Sequence, residues 1–130
     1  MSKITFLSLE DVYLLHSLQI DHYGGSEGVR DHTLVESAAM TPQGSYGGEF
    51  THPDIFLMAA AYAFHLSENQ AFVDGNKRTA LSAALVFLDI NGIEIVDPEG
   101  SLYQAMIDVS AKKLDKAGLA NLLKKLNGST

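Results

Sequence analysis

Two long apolar segments occupy the middle of the chain and limit what it can fold into. Residues 53 to about 69 are apolar on nearly every side, and the same holds from about residue 76 to 91. Each segment has the length of an α-helix, and a helix that is hydrophobic all round is buried. The sequence therefore predicts two buried central helices, joined by a short loop, at the centre of an all-α fold.

Four further helices are expected around this pair, which gives a bundle of about six. The first begins at Ser8, where Asp11 completes a variant capping box, and it ends at Gly24 and Gly25. The others are expected from Asp31 to near Pro42, over residues 102–109, and from the N-cap Asp115 to Leu126. Residues 43–49 are expected to form a mobile loop, Gly92 a C-cap, and residues 93–95 a short extended piece.

Composition narrows the classes of protein that remain. The chain has 130 residues, so one domain spanning residues 1–130 is expected. The absence of cysteine excludes disulfides and thiolate metal sites. A net charge of -7 argues against direct nucleic-acid binding, which needs a basic face. No signal peptide or membrane span is recognised, so we expect a cytoplasmic protein that does not bind a membrane.

The central part of the chain has one pair of basic residues, which lies in the loop between the two apolar segments. Lys77 and Arg78 are the only lysine or arginine residues between Arg30 and Lys112. An acidic chain that places its central basic pair on one loop is suited to binding an anion there.

The local sequence supports that interpretation. Asp74-Gly75 is a turn signal, so Asn76, Lys77 and Arg78 occupy the first turn of the second central helix. Basic residues in a first turn are unfavourable by about 0.3–1 kcal/mol, but they become favourable once an anion is bound. Asp74 could hold Mg²⁺, which takes one or two carboxylates together with phosphate oxygens. Phosphate and magnesium together indicate a nucleotide.

The same residues also allow interpretations that involve no nucleotide. The basic pair could form salt bridges with Asp74 or Glu68 instead of binding a ligand. The loop is not a P-loop, because arginine precedes Thr79 where that motif requires lysine. His65 and Glu68 lie one helical turn apart, but a pair without a third ligand is more often a helix contact than a metal site.

The loop resembles the motif of the Fic/Doc superfamily, His-x-Phe-x-(Asp/Glu)-(Gly/Ala)-Asn-(Gly/Lys)-Arg. Residues 70–78 read Gln-Ala-Phe-Val-Asp-Gly-Asn-Lys-Arg. The lysine at position 77 is typical of the Doc, or death-on-curing, branch, whereas Fic proteins proper have glycine. Residues 20–25, 30–31, 34–38 and 114–123 are also similar to Doc sequences, so the resemblance spans nearly the whole chain.

The resemblance implies a toxin of a toxin–antitoxin module with a Fic/Doc-type helical fold. Such proteins use ATP and Mg²⁺ to phosphorylate a hydroxyl of a host protein, with elongation factor Tu as the known kind of target, and they arrest translation. Most Fic relatives transfer AMP instead. The implied partner is an antitoxin with a disordered tail that folds on the toxin, since Tyr23 and Ile95 replace the Ser/Thr of an internal inhibitory helix. We expect an apolar groove for this tail near the motif helix and the first helix.

The family roles carry over residue by residue. Asp74 would be the magnesium ligand, and Phe72 would anchor the loop in the core. The residues assigned to the phosphates are Gly75, Asn76, Lys77 and Arg78, and Lys77 would crowd the pose that AMP transfer needs.

Gln70 departs from the family at the position of the catalytic histidine. That histidine deprotonates the attacking hydroxyl, whereas a glutamine amide can only orient it. Losing a general base typically costs about 100- to 10,000-fold in rate. The motif places its histidine two residues before the phenylalanine. His65 lies seven residues before Phe72 and therefore cannot replace the missing histidine. The chain is either a natural homologue that lacks the base or a toxin whose histidine was replaced to permit production. Two alternative functions remain, an AMP transferase and a pseudo-enzyme that acts only by binding protein.

Overall fold

The all-α fold is confirmed by a computed structural model, which describes residues 3–128. Its six α-helices are α1 (Leu9–Tyr23), α2 (His32–Met40), α3 (Ile55–Asn69), α4 (Asn76–Ile90), α5 (Ser101–Ser110) and α6 (Lys116–Lys125). Between α2 and α3 lie a 3-10 turn, Thr41–Gln43, and the strands β1 (Ser45–Tyr46) and β2 (Glu49–Phe50). None of the helices in the described residues is both long enough and apolar enough to cross a membrane.

Helix α3 is the centre of the bundle, as its composition predicts. It packs against α2, α4, α5 and α6. Residues 58–63 are at most 1% exposed, and four of these six are alanine, which lets neighbouring helices approach closely. The one polar group among them, the hydroxyl of Tyr62, accepts a hydrogen bond from the backbone N–H of Leu7 at 2.9 Å.

Helix α4 is not buried on every side, so that part of the prediction is wrong. Its inner face, which includes Ala80, Ala84 and Phe87, is fully buried against α3 and α1. Its outer face is half-buried or exposed, and Ile90 is 46% exposed. The apolar pattern cannot reveal this difference, because α4 has neighbours on only part of its circumference. An apolar strip therefore remains open beside α1.

The local signals at helix ends are confirmed. Ser8 and Asp11 form a reciprocal capping box, with hydrogen bonds of 3.0 and 2.8 Å. Asp115 caps α6 by accepting the backbone N–H of Gly118. Ile95 forms an isolated bridge with Asn127, as expected of an extended piece.

The predicted mobile loop over residues 43–49 contains a small hairpin instead. Ser45 pairs with Phe50 and Tyr46 with Glu49, in antiparallel register. The turn between them is Gly47-Gly48, and both glycines have positive φ, at 60° and 84°. Two consecutive positive-φ residues are what a tight hairpin turn requires, so the glycines taken as a sign of mobility define the turn.

A cluster of basic side chains lies where α3 packs against α6. The Nζ of Lys116 lies 3.0 Å from Nε2 of the buried His52. Burial lowers the pKa of His65 to about 4, and the positive charges of Lys116 and His52 act in the same direction, whereas Glu68 opposes them. Burial, followed by Lys116, also lowers the pKa of His52.

We expect the free energy of unfolding to fall as the pH is lowered from 6.5 towards 4. A histidine whose pKa is lower in the folded state binds protons more readily in the unfolded chain, so acid favours unfolding. The contribution is complete above the ordinary pKa of histidine and is lost as the pH falls to the folded value. Urea midpoints of the parent and of His65→Leu across this range would test it. The variant should lose less stability than the parent, and equal losses would contradict the assignment.

Candidate functional site

The loop between α3 and α4 is closed by one side chain. Asn76, the first residue of α4, accepts the backbone N–H of Phe72 at 3.1 Å and donates its amide to the Phe72 carbonyl at 3.0 Å. This pair fixes the loop and directs Phe72 into the core, where it is fully buried, as expected of an anchor. The side chain of Asn76 is thus engaged in the loop, and its backbone N–H remains for a ligand.

Gln70 lies where α3 ends, and its backbone is left-handed, with φ and ψ both 45°. Few residues other than glycine adopt this conformation, and histidine is among those enriched in it. The side chain is exposed at the mouth of a cleft. Histidine at this position would therefore keep the backbone geometry while supplying a proton acceptor.

The connection between α1 and α2 forms backbone hydrogen bonds with the motif loop, the segment of residues 70–75 between α3 and α4. The carbonyl of Ala71 accepts the backbone N–H groups of both Arg30 and Asp31, at 2.7 and 3.0 Å. The N–H of Val73 donates to the carbonyl of Gly28 at 3.1 Å. The two segments therefore hold each other in place.

Asp74 is exposed and held by backbone donors. Its carboxylate accepts the N–H of Gly75 at 2.9 Å and that of Ser26 at 3.2 Å. Gly25 passes so close that a Cβ there would lie 2.6 Å from an oxygen of this carboxylate. The predicted Asp74-Gly75 turn is confirmed, since Gly75 has φ of 76°.

Helix α4 begins without a side-chain cap. Asp31, Asp54 and Asp115 cap α2, α3 and α6, and the carboxylate of Asp97 accepts the first N–H groups of α5. Ser8 does the same for α1. Among the helices described, α4 therefore presents its first N–H groups without a side-chain acceptor, at the end of the helix where the dipole favours an anion.

The basic side chains beside these N–H groups are not neutralised. Within residues 3–128 neither Lys77 nor Arg78 forms a salt bridge, and Glu68 pairs with Lys112 instead. The guanidinium carbon of Arg78 lies 4.0 Å from the ring centre of Tyr23 and 5.2 Å from that of Tyr103. Aromatic rings hold a guanidinium while leaving its charge and donors available. The alternative of an internal salt bridge to Asp74 or Glu68 is thereby wrong.

These groups line one cavity of about 320 Å³. All of the residues predicted for catalysis or cofactor binding contribute to it, namely Gln70, Asp74, Gly75, Asn76, Lys77 and Arg78. Arg30, Ser67, Val73 and Tyr103 complete its walls. The wall thus combines three cations (Arg30, Lys77 and Arg78), free backbone donors, one carboxylate and several groups that can orient a hydroxyl.

The donor set fits magnesium better than a metal bound by protein alone. No group of three or more His, Asp or Glu side chains within the described residues could hold a metal ion. Mg²⁺ keeps several waters and needs only one or two carboxylates when it shares its other ligands with phosphate oxygens. Asp74, exposed on the cavity wall, is suited to such an ion.

Sequence reasoning missed the residues that reach the loop from elsewhere in the chain. His16 is 4% exposed, and Nε2 of its ring lies 2.8 Å from the carbonyl oxygen of Asp74. It shares the buried face of α1 with Val12 and Ile20, at four-residue spacing, which could have marked it as an inward-facing polar group. No local signal identifies Tyr23 or Tyr103 as partners of the motif.

Comparison with known proteins agrees with the geometry. A family model described as the Fic/DOC family matches residues 6–88, which run from just before α1 to near the end of α4. "Toxin Doc" of Mycolicibacterium smegmatis is 41% identical over 90 residues, covering 69% of this chain and 67% of that protein. "Protein kinase doc" of Escherichia phage P1 is 32% identical over 124 residues, covering 95% of this chain and 96% of that protein. The chain therefore belongs to the Fic/DOC family, and within it to the Doc branch.

Proposed function

We propose that this chain is a Doc-type toxin whose site is built for ATP-dependent phosphorylation of a protein hydroxyl, and that Gln70, in place of the general base, inactivates or weakens it. The observation that carries the proposal is the uncapped start of α4, where Lys77 and Arg78 face a cavity that also contains Asp74. The names of the relatives support it, since one is called a toxin and the other a protein kinase. Its place of action is the cytoplasm, and its substrate is a protein similar to elongation factor Tu.

Each group on the cavity wall has a part in this chemistry. The first N–H groups of α4, with Lys77 and Arg78, bind the phosphates of ATP, and Asp74 binds the accompanying Mg²⁺. The target hydroxyl enters beside residue 70. Its oxygen forms the new bond to the γ-phosphorus, the bond from that phosphorus to the bridging oxygen breaks, and ADP leaves. The hydroxyl proton needs an acceptor, which Gln70 does not provide.

Lys77 favours phosphoryl transfer over AMP transfer. Its half-buried side chain lines the same cavity as the α4 N–H groups, so it occupies space where glycine would leave room for phosphates. A pseudo-enzyme that acts only by binding protein is the second candidate, and Gln70 is the observation that favours it. The intact wall around Gln70 supports the kinase scaffold.

We expect Gln70→His to restore activity by about 100- to 10,000-fold, because it returns a group that titrates near neutral pH. Growth after induction without antitoxin is one measurement. The other is transfer of label to target protein from ATP labelled in the γ-phosphate or in the adenylate. Gln70→Asn, which tolerates the left-handed backbone but is no base, is the matched control. Unchanged growth with soluble Gln70→His protein would contradict the proposal, and adenylate label would select the AMP-transfer alternative.

We also expect the parent protein to bind ATP with Mg²⁺, because Gln70 leaves the anion-binding groups intact. Arg78→Ala should weaken binding by about tenfold or more, since it removes a charge-assisted hydrogen-bond donor. Titration calorimetry is the measurement, and melting curves check that the variant is folded. Lys113→Ala, which removes the same charge from an exposed turn, is the control. Equal affinity of Arg78→Ala and parent would show that the phosphates bind elsewhere.

The partner expected of such a toxin has a suitable surface beside the site. A groove between α1 and α4, which we call the α1–α4 groove, begins with a cavity of about 370 Å³ that includes Tyr23, Arg78 and Leu85. A second cavity of about 170 Å³ continues it past Val86. Leu14, which lines this second cavity, is 58% exposed. An amphipathic helix could lay its apolar face in this groove.

A tail peptide from the antitoxin encoded beside this chain should raise the melting temperature. Ligand that binds only the folded state stabilises it by about 2.7 kcal/mol at 100 times its Kd. Leu85→Glu should abolish the shift, whereas Ile107→Glu, on the exposed side of α5, should not. Absence of any shift at saturating peptide, with folded parent protein, would remove the toxin–antitoxin interpretation and favour the pseudo-enzyme.

A further inference from the structure

His16 is a buried histidine that lies on α1 and contacts the motif loop. Its ring is 4% exposed and stacks on Phe72, with ring centres 3.8 Å apart and planes 10° from parallel. Its Nε2 lies 2.8 Å from the backbone carbonyl oxygen of Asp74. The side chain of His16 thus contacts both Phe72, the apolar anchor of the loop, and the peptide bond between Asp74 and Gly75.

The hydrogen bond assigns the proton on this ring. A carbonyl oxygen only accepts, so Nε2 must carry the hydrogen and donate it to Asp74. The contact joins residues 58 positions apart in sequence, so α1 sets the orientation of a loop between two other helices.

That peptide orientation determines where the reactive groups point. With its carbonyl turned towards His16, the Asp74-Gly75 peptide presents the Gly75 N–H to the Asp74 carboxylate at 2.9 Å. Gly75 itself packs against α1, since a Cβ there would lie 3.1 Å from Ile20 and 3.8 Å from His16. The start of α4 is therefore located by α1 as much as by the loop.

We propose that His16 is a positioning residue of this site. Its Nε2–H fixes the Asp74-Gly75 peptide, and this orients the Asp74 carboxylate and the first N–H groups of α4 towards the cavity. The inference rests on the proposed function for its effect on ATP, but its effect on the loop can be measured without any ligand.

Two variants separate this role from that of a space-filling core residue. His16→Phe keeps a ring to stack on Phe72 but leaves the carbonyl of Asp74 without a donor. His16→Gln keeps an N–H donor at similar reach but loses the ring. A residue that only fills space would tolerate phenylalanine better than glutamine, and a positioning residue would show the reverse order.

Three readouts are taken on each variant: amide hydrogen exchange, ATP affinity and steady-state kinetics. Amide hydrogen exchange at Gly75 reports the loop in the ligand-free parent background. Calorimetry with ATP and Mg²⁺, and kcat and KM in the Gln70→His background, report the site. We expect His16→Phe to speed exchange and to weaken ATP binding by about tenfold each, which corresponds to about 1.4 kcal/mol. His16→Gln should stay within about threefold of its parent in both.

The outcomes are distinguishable. If His16→Phe matches the parent in exchange, the positioning role is overturned. Equal losses in both variants would likewise overturn it, because the ring stack alone would then explain them. A parent that binds no ATP, with fast exchange only in His16→Phe, would refute the proposed function and leave the positioning role supported. Should His16→Phe not fold, His16→Leu makes the same comparison with His16→Gln.

Discussion

The paired hydrogen bonds between Asn76 and Phe72 are the constraint on which the rest of the site depends. An amide side chain carries a donor and an acceptor in one plane, so it can satisfy the N–H and the carbonyl of the same residue. Aspartate would leave that carbonyl without a donor. Because the loop is closed in this way, Phe72 is buried, Gly75 takes a left-handed turn, and α4 begins without a cap.

The site keeps its positive charge because its supports are uncharged. Arg78 lies against Tyr23 and Tyr103 rather than a carboxylate, and Asp74 is held by backbone N–H groups. The charge of each group is therefore not neutralised within the protein and can interact with a ligand. The supports come from α1, from the connection after it and from α5, so the short motif is completed by distant parts of the chain.

Features determined by neighbouring residues could be predicted from the sequence. The capping box at Ser8, the cap at Asp115 and the turn at Asp74-Gly75 each depend on contacts within a few residues. The apolar pattern predicted both central helices, but it could not show which side of α4 lacks a neighbour. The contact between His16 and Asp74 could not be predicted for the same reason, because nothing local distinguishes one inward-facing histidine from another.

The hydrogen bonds from Arg30 and Asp31 to Ala71 also bear on the order of events during folding. They close a loop of about 40 residues. Closing such a loop lowers the entropy of the chain before the contacts between its ends are formed. The site is therefore assembled from long-range contacts, which form more slowly than helices. On a ribosome that synthesises the chain from its N-terminus, α1 and α2 exist before the segment that they must meet. A growing chain thus has no complete site until α5, which carries Tyr103, has emerged.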